Sequence, residues 1–323
     1  MKVFVAGGGG AIGARLLPQL LEAGHEVVAS ARSPKGLIGI EALGARAVLL
    51  DGLDRDAVEA AVRLERPEAI VHEMTALSGP ADLRHFDRWF AVTNELRTRG
   101  TDNLLAAAEA VGGVRFLAQS FTGWTNQRSG SPVKSEEDPL DDDPPAQMRE
   151  TLRAIRYLER TVVDAGGLAL RYGSLYGPGT ALSGEYVEMV RRRRLPVIGD
   201  GGGIWSFIHV DDAAAATAAA LERGAPGVYN VVDDDPAPVA EWLPTLARRS
   251  GAPAPRQLPV WLGKLATGEV GVSMMTKIRG SSNAKAKREL GWTLSHPTWR
   301  DSLGPEPSAD FRSLRRASSA SGL

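Results

Sequence analysis

Short unbroken apolar runs punctuate the first half of the chain, and between them apolar residues return every three or four positions. The runs are Lys2–Ala6, Glu26–Ala31, Arg46–Leu50, Ala69–His72, Arg115–Gln119 and Leu168–Tyr172. Runs this short, without polar alternation, predict strands covered on both faces, as in a parallel sheet. The stretches between them, Ile12–Ala23, Arg55–Leu64, Phe86–Val111 and Met148–Ala165, predict helices. In the first of these, Ile12, Leu16, Leu17, Leu20 and Leu21 form one apolar stripe. Strand and helix alternate, so the expected fold class is α/β: a doubly wound parallel sheet with helices on both faces.

The rhythm changes after Gly177, Pro178 and Gly179. Shorter, mixed elements are expected there: helix Tyr186–Arg193, strand Ser206–His209, an alanine-rich helix Asp211–Leu221, strand Val228–Val231, helix Pro238–Arg249 and a helix near Asn283–Leu290. They predict a smaller mixed α/β substrate lobe, residues 176–303, interleaved with a nucleotide-binding domain of residues 1–175. Thr125–Pro145, rich in proline and aspartate, reads as a long surface loop at the carboxyl edge of the sheet. Within it, Lys134 and the acids Glu136, Glu137, Asp138 and Asp141–Asp143 are expected to be solvated. Residues 304–323 are low in complexity and expected to be disordered.

Composition narrows the function classes. The chain has 323 residues, 43% hydrophobic and 24% charged, with a net charge of −1. Such a balance draws neither nucleic acid nor membrane, so small-molecule partners are expected. There is no cysteine, which excludes disulfides, thiolate metal sites and a cysteine nucleophile. No His/Asp/Glu cluster has metal-ligand spacing, and no metal is expected. No apolar run reaches the length of a membrane span, and the chain starts on a strand, so a cytoplasmic location is expected.

The first strand runs straight into Gly7, Gly10 and Gly13, and a helix follows. A strand that turns tightly into a helix aims backbone N–H groups and the positive helix end at one spot, which suits a pyrophosphate. The cradle is expected to comprise Gly7, Gly9, Gly10, Ala11, Ile12 and Gly13, so the fold is of the Rossmann dinucleotide-binding type. At the end of the second strand, where an acid holds the ribose 2′-OH in NAD-selective sheets, the chain carries Arg32. An arginine there pairs with a 2′-phosphate and stacks on adenine, so NADP (NADPH) is the expected cofactor, the alternative being a solvated surface arginine. Asp51, with Gly52 and Leu53 behind the third strand, is placed to receive the adenine amino group.

Several segments in order resemble the extended short-chain dehydrogenase/reductase family, the NAD-dependent epimerase/dehydratase group. They are the glycine turn; Ile70-Val71-His72 with Thr75-Ala76; Thr93-Asn94 with Gly100-Thr101-Asp102-Asn103-Leu104-Leu105; Leu170–Gly179; Phe207-Ile208-His209-Val210-Asp211-Asp212; and Lys287–Trp292. The resemblance implies that Thr75, Ala76, Asn94, Ser120 and Tyr172 approach the cofactor, with the nicotinamide carboxamide near the backbone after Tyr172. It also implies a homodimer through the helices around Glu95–Val111 and Met148–Ala165.

The family's chemistry uses a serine after the fifth strand and a Y-x-x-x-K on the next long helix. Ser120 stands in the serine's place, with Thr122 close by. Aligned through Glu159, the tyrosine's place holds Thr151 and the lysine's place Ile155, and no Y-x-x-x-K occurs anywhere. Ser120 and Thr122 are then expected to polarise the substrate, with Tyr176 or water as proton source. Trp205, Trp261, Met274 and Met275 suggest an apolar or aromatic substrate. The expected function is an NADP-dependent oxidoreductase passing hydride between nicotinamide and a small carbonyl or conjugated enone. The alternatives are a non-catalytic NADP-binding sensor or scaffold, and a cofactor-dependent epimerase or lyase.

Overall fold

A computed structural model describes residues 1–77 and 81–304. Seven strands form one sheet: β1 (Lys2–Ala6), β2 (Glu26–Ala31), β3 (Arg46–Leu49), β4 (Ala69–His72), β5 (Arg115–Phe121), β6 (Leu168–Tyr172) and β7 (Gly227–Val231). Their order is β7-β6-β5-β4-β1-β2-β3, and every neighbouring pair is parallel. The chain winds outward in one direction through β2 and β3, then crosses back to β4. The switch point therefore lies between the carboxyl ends of β1 and β4, where a crevice opens in folds of this kind.

Alternation along β1 builds two cores at once. Val3 and Val5 face the helix Gly13–Glu22 (Leu16, Leu17, Leu20) and the alanines of the helix Val210–Arg223. Phe4 and Ala6 face Leu104, Leu158 and Val162 from the helices on the other side. A third core gathers Phe207, Trp242 and Trp299 with Phe86, Trp124 and Leu152 from earlier in the chain. β7 and the helix Val210–Arg223 complete the large layer.

The stretch 86–111 is not one even helix. It is built from Phe86–Trp89 and Ala91–Glu95, a π-helical turn Leu96–Gly100, and Thr101–Val111. The loop 125–145 is also more ordered than its polarity implied. Val133–Lys134 pairs with Gly280–Ser281, and Asn126 bridges Leu140. Lys134 is only 3% exposed, against the solvated position expected, because its ammonium pairs with Asp138 at 3.1 Å. Asp141 is buried on Arg128 (2.7 Å), and Glu136 accepts the Asn230 N–H (2.7 Å). From residue 305 onward, the expected disordered tail lies outside the described residues. No helix among the described residues is long and apolar enough to cross a membrane.

Candidate active site

The crevice at the switch point is a cleft of about 1470 Å³, lined by Arg32, the glycine turn and a group of aromatic residues. The turn is shaped by sterics. Gly7 sits at φ +89°, and a Cβ there would lie 2.8 Å from the Glu73–Met74 backbone. A Cβ on Gly13 would lie 2.3 Å from the Gly8 carbonyl oxygen, so only glycine lets the helix pack this closely. Gly9 and Gly10, by contrast, have room on their open flank, which faces the cleft. Among the described residues, the N–H groups of Ala11, Ile12 and Gly13 meet no protein acceptor. Three unpaired donors at a helix start make an anion cradle, and a pyrophosphate fits it.

Other expected cofactor residues divide by position. Arg32, Asp51, Thr75, Ser120 and Tyr172 line the cleft. The Arg32 side chain is exposed and forms no ion pair among the described residues. Gly52, Leu53, Ala76 and Asn94 stand back from it. Gly52 is pressed on Met74, where a Cβ would come within 2.3 Å of Sδ. Ala76 donates its N–H to Thr93 Oγ1 (3.1 Å), and Asn94 donates to Thr151 Oγ1 (3.1 Å).

The expected catalytic hydroxyls are already committed. Ser120 Oγ donates to Glu159 Oε1 at 2.6 Å, and Glu159 is clasped by Arg171 at 2.7 and 2.6 Å in a buried bidentate pair. Thr122 Oγ1 lies 2.6 Å from Ser281 Oγ and bonds Asn126 Oδ1 (3.3 Å). Thr151, expected at the tyrosine's position, is fully buried. Its hydroxyl donates to Asp87 (2.6 Å) and accepts from Asn94. Ile155, expected at the lysine's position, is core. Asp87, Thr151 and Asn94 thus form a closed network.

Tyr176 does not line the cleft. It is fully buried, edge-on to His209 at 5.1 Å, and burial pushes its phenol well above the usual range. Tyr172 lines the cleft, but its hydroxyl is engaged within the protein, donating to Glu73 Oε1 (3.0 Å) beside Thr217 (2.6 Å). Tyr186 lines the outer wall, and burial raises it to about 12. His72 is held neutral, its pKa lowered to about 4 by burial, and its Nδ1 accepts the Met74 N–H.

Two buried charged residues of the cleft wall escaped the sequence reading. Glu73 is buried, its pKa raised to about 8 by desolvation, and its Oε2 has no partner. A carboxylate directly after an apolar strand was the available signal. Arg97 is buried on the π turn. In a helix of mixed polarity nothing marked it.

Part of the cleft wall is aromatic. Phe86, Trp89, Phe90, Phe121 and Trp124 line it, with Phe121 stacked on Trp124 at 5.3 Å and Phe86 edge-on to Trp124 at 5.2 Å. Trp205 and Met274 also line the cleft. Met275 is core, whereas Trp261 is 64% exposed and far from any role in the cleft wall.

Comparison with known proteins places this architecture. Residues 3–231 match the model of the NAD dependent epimerase/dehydratase family. A 3-diazoavenalumate denitrifying reductase from a Streptomyces species is 44% identical over 95% of this chain and 100% of its own length. A 2-alkyl-3-oxoalkanoate reductase from Stenotrophomonas maltophilia is 30% identical over 78% of this chain and 77% of its own. The UDP-glucose 4-epimerase of Thermotoga maritima, solved with UDP-glucose, superposes with a TM-score of 0.73 at 21% identity, over 98% of this chain and 99% of that one. The chain is thus an enzyme of the NAD dependent epimerase/dehydratase family.

Proposed function

We propose that this enzyme is an NADPH-dependent reductase that removes a diazo group, as dinitrogen, from an aromatic substrate. The observation that carries the reading is the closed network at Thr151. A ketone reduced by hydride becomes an alkoxide, which takes a proton from a placed acid. A nicotinamide held in the cleft would supply a hydride; at a carbon bearing a diazonium group the C–H bond would form as the C–N bonding pair left with N2, so no acid would be needed. Ser120 agrees with that demand. Its proton is spent on Glu159, so it offers lone pairs to the cleft. Lone pairs suit a cationic diazonium better than a carbonyl oxygen. The aromatic wall suits an arene, and the 44% identical relative is named for denitrifying a diazo compound.

The test is NADPH oxidation by the purified enzyme with benzenediazonium, measured above the protein-free rate. Equimolar N2 release is expected, with deuterium from 4-deuterated NADPH at the former C–N carbon. A carbonyl or conjugated enone is the competing substrate class, favoured by the oxoalkanoate reductase relative. Turnover of 3-oxoacids with none of the diazonium overturns the proposal.

NADP selectivity rests on Arg32, which lines the cleft at the end of β2 with its guanidinium unpaired. A charge-assisted contact to a 2′-phosphate contributes about 1.5–3 kcal/mol. Arg32→Asp is therefore expected to weaken NADPH binding by roughly 10- to 150-fold, with little change for NADH. Calorimetric titration of both cofactors measures it, and equal losses for the two refute the assignment.

A further inference from the structure

Arg97 is a cation enclosed in the cleft wall with almost nothing to pair with. It is 5% exposed and lines the cleft. Its Nη1 reaches Asn94 Oδ1 only at 3.5 Å, and its guanidinium lies 5.4 Å from the centre of the Phe90 ring. No carboxylate among the described residues comes within ion-pair distance of it. Glu159, the nearest influence of opposite sign, has both oxygens engaged by Arg171 and Ser120. A guanidinium carries five N–H donors in a rigid fork that matches a carboxylate. Here one of the five is weakly used.

The placement has a structural cause. Arg97 sits inside the π turn Leu96–Gly100, against which the helix Arg149–Asp164 packs. That helix carries Thr151 and Ile155, both buried, the residues that the sequence reading sets at the family's tyrosine and lysine. A π turn inserts one residue into a helix and re-aims the side chains beside it, and such turns gather at functional sites. The cation thus enters the cleft from the opposite helix. Its aromatic neighbour Phe90 in turn touches Phe86 (4.6 Å) and Trp124 (6.1 Å), which also line the cleft.

We propose that Arg97 is the anion receptor of the substrate end, and that the substrate is an arene bearing a carboxylate. This rests on the reductase reading for its setting and adds the substrate's charge. Desolvation of an unpaired arginine is costly, and an incoming carboxylate offsets it by forming a bidentate pair in a site shielded from water. The flat Phe121–Trp124 stack then holds the ring while the guanidinium fixes its orientation.

The experiment measures binding and needs no turnover, so it stands or falls apart from the diazonium chemistry. Cinnamate and its neutral amide, cinnamamide, are titrated into the NADP-loaded enzyme while tryptophan fluorescence is followed. Cinnamate is expected to bind at least 10-fold more tightly than the amide. Arg97→Met should abolish that preference while leaving amide binding and NADPH affinity in place. Arg97→Lys should keep part of it, which guards against a folding defect, and thermal melts check both variants. Equal binding of acid and amide by the native enzyme overturns the proposal. So does an Arg97→Met variant that loses NADPH affinity instead, since the arginine would then serve the cofactor.

Discussion

Replacing Arg171 with methionine is expected to destabilise the fold by about 3–5 kcal/mol. Arg171 is a charged residue inside β6, buried on both sides, and Glu159 from the helix Arg149–Asp164 is its bidentate partner. Removing the cation strands a desolvated carboxylate. Arg97, whose charge Glu159 already feels, can relieve part of the loss, which places the effect nearer the lower end. Replacing both partners, Arg171→Met with Glu159→Leu, should recover most of the stability, because a well-packed apolar pair has no charge to desolvate. Urea unfolding of the two single variants and the double variant measures the coupling. A single-variant loss below about 1 kcal/mol would show that water reaches the pair. The double variant has a second consequence: without Glu159, the Ser120 proton is free to turn into the cleft. If Ser120 works as an acceptor, the double variant binds cations less well even where it folds.

The sheet was legible because its strands are continuous apolar runs. The expected bounds of β1, β2, β4 and β6 agree with the structure to the residue. β5 runs on through Ser120 and Phe121, which pair with Arg171 and Tyr172. That extension is a tertiary effect, since a serine and an exposed-looking aromatic give no local reason to continue a strand. The helix Pro34–Ala42 was missed. Gly36 and Gly39 lower its propensity, while Ser33 capping Gly36 and Pro34 in the first turn support it. The helix Val260–Thr276 was missed for a different reason. It is broken at Gly268, where φ is +73°, and its apolar residues do not keep to one face.

The glycine turn was legible because backbone geometry demands glycine there. For catalysis the sequence offered only an expectation, Thr151 and Ile155 at the positions of the family's tyrosine and lysine. What replaces them depends on which neighbour a side chain finds. Ser120 gave no sign that its proton would go to Glu159, thirty-nine residues on. Arg97 becomes visible only once a π turn rotates it inward. Arg171, however, could have been flagged: a charge flanked by Leu168, Leu170 and Tyr172 in a two-sided strand needs a buried partner.

Glu73→Gln is expected to change how stability depends on pH more than stability itself. Burial raises the Glu73 carboxyl from 4.5 to about 8, with Tyr172 its one hydrogen-bond donor and Oε2 left unpartnered. Between those values the folded state holds a proton that the unfolded state has released. Stability from this group is therefore fully present below about pH 4.5 and is lost as pH rises toward 8, by about 1.4 kcal/mol per pH unit. Glutamine keeps the Tyr172 bond and removes the titration, so the variant should lack that slope. Asp233, also raised to about 8 by burial, adds a slope of the same sign and remains in the variant, which should thus keep roughly half of the native pH dependence. Because the new amide N–H groups lack acceptors, the variant carries a constant penalty of about 1–3 kcal/mol. The gap between the two proteins should then narrow from pH 5 and reverse by pH 8. Urea unfolding at each pH unit reads this directly, and parallel curves would mean that Glu73 is ionised in the fold. The same proton bears on binding. Glu73 lines the same cleft as the glycine turn, and its backbone packs on Gly7, so its ionisation above pH 8 adds a negative charge to the wall of an anion site. Dinucleotide affinity should fall above that pH in the native enzyme and stay level in Glu73→Gln.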